Sequence, residues 1–462
     1  MPQKKIPAET IGDIATIIRA HFAPTGVQNI SISERQFPFR VRADLQRAID
    51  RLFGSGAVIR HFCGVRKEYS HDGLTLSDCI VANQRNPTVA VPLQYEEVDI
   101  GDDKPVQCLK NGIWFLRRDK DKYVVLLAPA MQFGQVTGMQ FQIAVVNDEA
   151  GTRLTQEFFK HLEDSVLKAD SYRGKILSLE HSRGRYTGTS TGIAVHKLRT
   201  VEREQLILPK KTLDLLERNV IQFVRQRPQL AKFKQATKKG LLFYGPPGTG
   251  KTHTIHYLAR ALEGHTTLLI SAEQVALLSE YMTLARLLQP SVVVMEDVDL
   301  IARERAQMNS PCEEALLNKL LNEMDGLKEE ADILFILTTN HPEALERALS
   351  SRPGRIDQAI EFPLPDDEGR QKLVLLYSQG IELADDVVQA IVQRTERVSA
   401  AFIKELMRRS VQFHLERNGS GCIELPDVEQ ALEEMLFSGG SLNLKLLGAE
   451  ENDSRSVGFA GR

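Results

Sequence analysis

No stretch of the 462-residue chain reaches the ~18 consecutive apolar residues that a membrane-spanning helix needs. The opening, Met1-Pro-Gln-Lys-Lys-Ile-Pro7, lacks the hydrophobic core of a secretory signal, so a cytoplasmic location is expected. Cysteine is scarce as well. Cys63, Cys79, Cys108, Cys312 and Cys422 are odd in number and never spaced as CxxC, which argues against a disulfide framework and suits a reducing compartment. His61, Cys63, His71 and Cys79 match no usual zinc-ligand spacing, and no structural metal is expected there. An excess of positive charge is also missing: 58 Lys and Arg face 61 Asp and Glu, a net charge of −3. Without a basic stripe, a nucleic-acid partner is not expected. The single tryptophan, Trp114, and the other aromatics are assigned to core rather than to a ligand platform.

What is present is a globular composition, 42% hydrophobic and 26% charged, on a chain long enough for two or three domains. Residues 1–180 read as an α+β domain without a chemical motif. Helices are expected at Ile11–His21, Arg40–Phe53 and Thr152–Lys168. Pro24–Ser33 reads as loop. Asn111–Leu116 and Tyr123–Ala128 flank a charged turn at Arg117–Lys122 and predict a hairpin, followed by strands at Gln140–Val146 and Lys175–Glu180. His181–Gly192 is rich in Gly, Ser and Thr, and residues 181–203 read as a linker.

From 204 to 365 strands alternate with helices, which predicts an α/β fold with a parallel sheet covered on both faces. The strands are Leu241–Tyr244, Thr267–Ser271, Ser291–Met295, Ile333–Thr338 and Ile356–Phe362, and Ser310 with Glu313 opens a capped helix. Residues 366–440 read as an all-helical lid, with helices at Gly369–Gln379, Asp385–Arg394, Ser399–Glu416 and Pro426–Phe437. Residues 441–462 are expected to be a disordered tail.

The most informative stretch is Leu241-Leu-Phe-Tyr-Gly-Pro-Pro-Gly-Thr-Gly-Lys-Thr252. A strand runs into a GxxxxGK[ST] loop, and Ile255, Leu258, Ala259 and Leu262 follow at helical spacing. Gly245, Gly248 and Gly250 let backbone N–H groups turn inward, and the helix aims its positive end at the same point. Lys251 is placed for β- and γ-phosphates and the Thr252 hydroxyl for Mg²⁺. The phosphate-binding set is Gly245, Pro246, Pro247, Gly248, Thr249, Gly250, Lys251, Thr252 and His253.

A second strand ends in Glu296 and Asp297. Ligands gather at the carboxyl ends of parallel strands, so both carboxylates are expected beside the loop, one at the Mg²⁺ and one polarising an attacking water. Thr338-Thr-Asn340 ends another strand, and the Asn340 amide is placed to orient that water. Arg352 and Arg355 share the tight loop Ser351-Arg-Pro-Gly-Arg355, where a neighbouring subunit's γ-phosphate is the natural partner for two guanidiniums.

Together these motifs resemble the AAA family of ATPases over residues 204–437, with Glu323-Met-Asp-Gly-Leu327 similar to its inter-subunit segment and Val398–Leu406 to the opening of its third lid helix. The resemblance implies a P-loop fold with a helical lid, ATP and Mg²⁺ as cofactors, and a homo-oligomeric, hexameric ring that remodels protein clients. Lys251 and Thr252 match Walker A, Glu296 and Asp297 Walker B, Asn340 sensor one, and Arg352 and Arg355 the trans-acting fingers. Thr252 and Glu296 then hold the metal and Asp297 is the base. Three departures stand out. The family writes Asp-Glu where this chain has Glu296-Asp297, an order similar to that of the mitochondrial Rieske-protein translocase branch. Ser399-Ala-Ala replaces Ser-Gly-Ala, with no lid arginine at sensor two. Ser271–Pro290 contains no glycine and so lacks the aromatic-x-Gly loop of threading proteins; Leu277, Leu278 and Tyr281 are assigned to helix core. The expected function is an ATPase that remodels, unfolds or disassembles a client chosen by residues 1–180. The alternative is a nucleotide-gated scaffold with slow hydrolysis.

Overall fold

The run Ile113-Trp-Phe-Leu116 carries large apolar side chains at successive positions, so a strand built from it cannot leave one face in water. The computed structural model, which describes residues 13–54, 58–67, 73–81, 87–132, 135–168, 170–180, 192–303, 322–343, 355–417 and 422–438, covers both faces. The chain divides into two compact units, Met1–Arg173 with Ser178–His196, and Gly174–Leu177 with Lys197–Arg462.

The first unit is built on an antiparallel sheet. Its strands are β1 (Ile30–Pro38), β2 (Val58–Lys67), β3 (Thr88–Val91), β4 (Gln94–Val98), β5 (Val106–Arg118), β6 (Asp121–Gln132) and β7 (Gln135–Val146). They lie in the order β1-β7-β6-β5-β2-β3, with β4 on β5. Four helices cover it: α1 (Ile14–Phe22), α2 (Arg42–Gly54), α3 (Leu76–Ile80) and α4 (Glu149–Lys168). Ile113, Phe115, Val124 and Leu126 share a core with Ile14, Ile18 and Phe22 of α1. The alternate side chains meet α2 and α4: Trp114, 4% exposed, lies 5.1 Å from the Phe53 ring, and Tyr123 lies 5.3 Å from Phe158.

The β5–β6 turn is tighter than the sequence suggests. Arg118 pairs with Asp121, leaving Asp119-Lys120 as a two-residue turn with Asp119 at φ 54°. Pro24–Ser33 also departs from its reading as loop, because β1 begins at Ile30 and gains its order from β7 rather than from local periodicity.

In the second unit, β10 (Lys239–Tyr244), β11 (Thr266–Ile270), β12 (Ser291–Met295), β13 (Ile333–Thr339) and β14 (Gln358–Glu361) form a parallel sheet in the order β14-β10-β13-β12-β11. Strand β8 (Ile176–Leu179) straddles the division between the units, and β9 (Ile193–His196) is counted with the first. The sequence groups Lys175–Glu180 with the first domain; in the structure Ser178 onward stays with the first unit, while Ile176 and Leu177 pair with Thr267 and Leu268 of β11. A short apolar alternation marks a strand without naming its sheet.

Helix α5 (Lys210–Leu216), the π turn after it and α6 (Phe223–Lys232) lead into β10; α7 (Lys251–Ala261) follows it. Leu216, Val220, Ile255 and Leu258 pack with Leu241, Phe243, Val294 and Ile336. Helix α8 (Leu278–Leu287) lies on β11 and β12, and α9 (Val298–Arg303) on β13. Leu278 and Tyr281 are fully buried there, and the Tyr281 hydroxyl donates to Leu269 O and Gln274 Oε1. The helix expected at Ser310 lies outside the described residues.

The lid holds α10 (Asp367–Tyr377), α11 (Asp385–Arg394), α12 (Ala400–Glu416) and α13 (Leu425–Glu433) around Leu373, Ile391, Phe402, Leu406 and Val428. It is not all-helical: β15 (Glu382–Leu383) and β16 (Cys422–Ile423) pair in parallel. Two-residue strands are too short to carry a periodicity. The expected tail at 441–462 lies outside the described residues.

Candidate nucleotide site

Strands β10, β13 and β12 are neighbours in register, Tyr244 beside Thr339 and Leu337 beside Met295, so their carboxyl ends open on one place. The chain after β10 turns through Gly245 (φ 145°), Gly248 (φ 76°) and Gly250 (φ 99°) before entering α7. These are backbone conformations that a Cβ disfavours, and at Gly245 a Cβ would also stand 2.2 Å from Phe362 O. The loop therefore needs glycine for both conformation and space.

Lys251, 7% exposed, donates through Nζ to Gly245 O at 2.8 Å and Pro246 O at 2.9 Å. Burial pushes its ammonium pKa down to about 8, against the opposing pull of Asp297 and Asp299. Thr249 Oγ1 donates to Pro246 O at 2.9 Å, and Pro247 is exposed. The lid reaches the loop directly: the Ala401 N–H donates to Gly248 O at 3.1 Å, at the start of α12. A cleft lined by Ile207, Leu208, Thr249, Pro363 and Ala400 opens beside it.

The carboxylates arrive from β12. Glu296 Oε1 accepts from Thr252 Oγ1 at 2.7 Å, which brings the two expected metal-binding oxygens together. Hard oxygen donors of this kind fit Mg²⁺, which keeps several waters and takes few protein ligands. Asp297 has a positive φ of 50°, and its N–H donates to Thr338 Oγ1 at 3.0 Å. Its Oδ1 accepts from Asn340 Nδ2 at 3.0 Å. Among the described residues, the buried Asn340 Oδ1 has no hydrogen-bond partner.

Sequence reasoning missed one member. Asp299, 1% exposed, accepts from Thr339 Oγ1 at 2.8 Å and from the Asn340 N–H at 3.1 Å. Its spacing from Asp297 is visible in the sequence, but an acid in the first turn of α9 is common without a special partner.

Lys251, Thr252, Glu296, Asp297 and Asn340 are thus assembled around the loop. His253 lies on α7 with Nε2 in a hydrogen bond to Gln205 O at 3.2 Å. Arg355 is elsewhere. Its carbonyl packs against Gly240, at the start of β10 and so at the opposite end of that strand from the loop. Its guanidinium, 11% exposed, pairs with Asp325 of the same chain. Arg352 lies outside the described residues. So does His71 of the discarded zinc set, and Cys63 and Cys79 are free thiols whose pKa values burial raises to about 11 and about 12. Among the described residues no helix is long and apolar enough to cross a membrane.

A comparison with family models falls on this same part of the chain. Residues 241–364 match the family model described as "ATPase family associated with various cellular activities (AAA)". A proteasome-activating nucleotidase of Methanosphaerula palustris is 30% identical over 230 residues, 47% of this chain and 55% of that protein. A cell division cycle protein 48 homologue of Archaeoglobus fulgidus is 30% identical over 230 residues, 48% of this chain and 30% of the relative. An ATP-dependent zinc metalloprotease FtsH 3 of Sphaerobacter thermophilus is 30% identical over 256 residues, 52% of this chain and 51% of the relative. The chain spans about half the length, or less, of these curated relatives. The glycine loop after β10 and the paired contacts at the ends of β12 and β13 all lie within residues 241–364, the segment that matches the AAA family model.

Proposed function

We propose that the protein binds and hydrolyses ATP with Mg²⁺ at the subunit interfaces of a homo-oligomeric ring, most simply a hexamer, and remodels, unfolds or disassembles a protein client selected by residues 1–180. The observation that carries the chemistry is the convergence of Thr252 on Glu296 at 2.7 Å and Asn340 on Asp297 at 3.0 Å beside the buried Lys251. In this reading Lys251 holds the β- and γ-phosphates, Thr252 and Glu296 hold the metal, and Asp297 takes the proton of a water that Asn340 orients. Bound Mg²⁺ supplies charge neutralisation on the phosphates. Arg352 and Arg355 serve a neighbour's site, and the far-end position of Arg355 supports that division of labour.

The names of two relatives, proteasome-activating nucleotidase and ATP-dependent zinc metalloprotease, join nucleotide use to work on proteins and support a protein client. The Glu296-Asp297 order suggests kinship with the Rieske-protein translocase branch. Burial of Tyr281 supports remodelling without peptide threading. The scaffold reading draws on one observation: the Asp297 carboxylate, one methylene shorter than a glutamate, is already engaged by Asn340. Steady-state ATP turnover decides. Wild-type protein should exceed Asp297→Asn by about a hundredfold or more, and equal slow rates in the two would leave only the scaffold.

A further inference from the structure

We propose that Asp299 is a positioning residue for ATP hydrolysis, holding Asn340 so that its amide fixes the Asp297 carboxylate. The inference rests on the proposed function. One buried carboxylate oxygen of Asp299 accepts both the Thr339 hydroxyl at 2.8 Å and the Asn340 backbone N–H at 3.1 Å. The β10–β13 ladder ends at Thr339, so the Asn340 N–H has left the sheet and takes Asp299 as its acceptor. With that backbone pinned, Asn340 Nδ2 reaches Asp297 Oδ1 at 3.0 Å. The Thr339 hydroxyl in turn accepts the His341 N–H at 3.0 Å, which extends the fastening past Asn340. Asp297 needs such fastening, since a non-glycine residue at φ 50° keeps that conformation only where its surroundings impose it. A carboxylate suits the post, because one of its oxygens can accept from two donors.

The test compares Asp299→Ala, Asp299→Asn, Asp299→Glu, Asn340→Ala and the double variant Asp299→Ala/Asn340→Ala in the full chain. Asp299→Ala should lower kcat about ten- to a hundredfold, with ATP affinity by calorimetry within about twofold of wild type. Asp299→Asn keeps an acceptor in place and should recover most of the rate. Asp299→Glu keeps the charge but shifts the acceptor by about one bond length, and should slow turnover about tenfold; it carries the test if the alanine variant does not fold. The double variant should be no slower than the slower single variant, because Asp299 acts through Asn340. Losses that multiply, ATP affinity that falls in step with kcat, or wild-type kcat in Asp299→Glu would overturn the assignment. If Asn340→Ala itself keeps the wild-type rate, the fault lies with the water-orienting role in the proposed function. A slow Asn340→Ala beside an unimpaired Asp299→Ala sinks the positioning role alone.

Discussion

Lys251 is a cation held where water would normally solvate it. Its folded pKa of about 8 lies below the roughly 10.4 of a free lysine. Between those values the unfolded chain binds more protons than the folded one, so this residue's contribution to stability rises with pH across that window. Nucleotide binding has the opposite sign, because phosphates favour the ammonium. ATP affinity is expected to weaken about tenfold per pH unit above about 8, with proton uptake visible by calorimetry in buffers of different ionisation enthalpy. Lys251→Arg, which cannot deprotonate, should flatten that dependence, and Lys251→Ala should lose most ATP binding. The two acids separate in a second experiment. Asp297→Asn should keep ATP binding while losing about a hundredfold or more in turnover, and Glu296→Gln should first raise the Mg²⁺ concentration needed. Tight Mg²⁺·ATP binding with lost turnover in Glu296→Gln would exchange the two roles. Lys251 and Thr252 were legible in the sequence because the glycine loop that positions them is contiguous with them. Asp299 was not, because both of its donors come from another strand and nothing local marks it.

Among the elements, the phosphate loop and the lid meet at Gly248. A Cβ there would stand 2.8 Å from both Ala401 Cβ and Ser399 Oγ, at φ 76°. Gly264 offers a control, with φ 81° and nothing within 4 Å. Gly264→Ala tests backbone strain alone, whereas Gly248→Ala adds a clash with the start of α12. Both should lower the melting temperature, each costing more than about 1 kcal/mol, but only Gly248→Ala should also weaken ATP binding. Equal ATP affinities in the two variants would show that the loop does not depend on the lid contact. At this scale the sequence was read best where a period of 3.6 runs long enough, as in α4 and α12, or where an unbroken apolar run meets a glycine loop, as in β10. It failed where order comes from a distant partner. Strand β8 pairs with β11 through Ile176 and Leu177, and β15 pairs with β16. A hydrophobic alternation says that a strand exists, and the hydrogen-bond partner that completes it lies beyond any local window.

For the molecule as a whole, the proposed ring divides each active site between subunits. A subunit with Arg352→Ala and Arg355→Ala keeps its own ATP site, and a Lys251→Ala subunit keeps its arginines. Neither should hydrolyse ATP alone, and co-assembly should restore part of the activity, because an intact site can then face intact arginines in a head-to-tail contact. Full wild-type activity from a dilute monomer would remove the ring. The Asp325 pairing of Arg355 adds a condition: Asp325→Ala should change the activity of assembled protein and leave ATP affinity unaltered. One contact inside the second unit reaches further than its single hydrogen bond suggests. Helix α12 has 17 residues and begins at the Ala401 N–H bond to Gly248 O. At 1.5 Å per residue it is a lever arm about 25 Å long with its fulcrum at the phosphate loop. A tilt of ~5° about that fulcrum carries its far end, Glu416, roughly 2 Å. Any tilt about that contact would therefore be small at the loop and largest at Glu416.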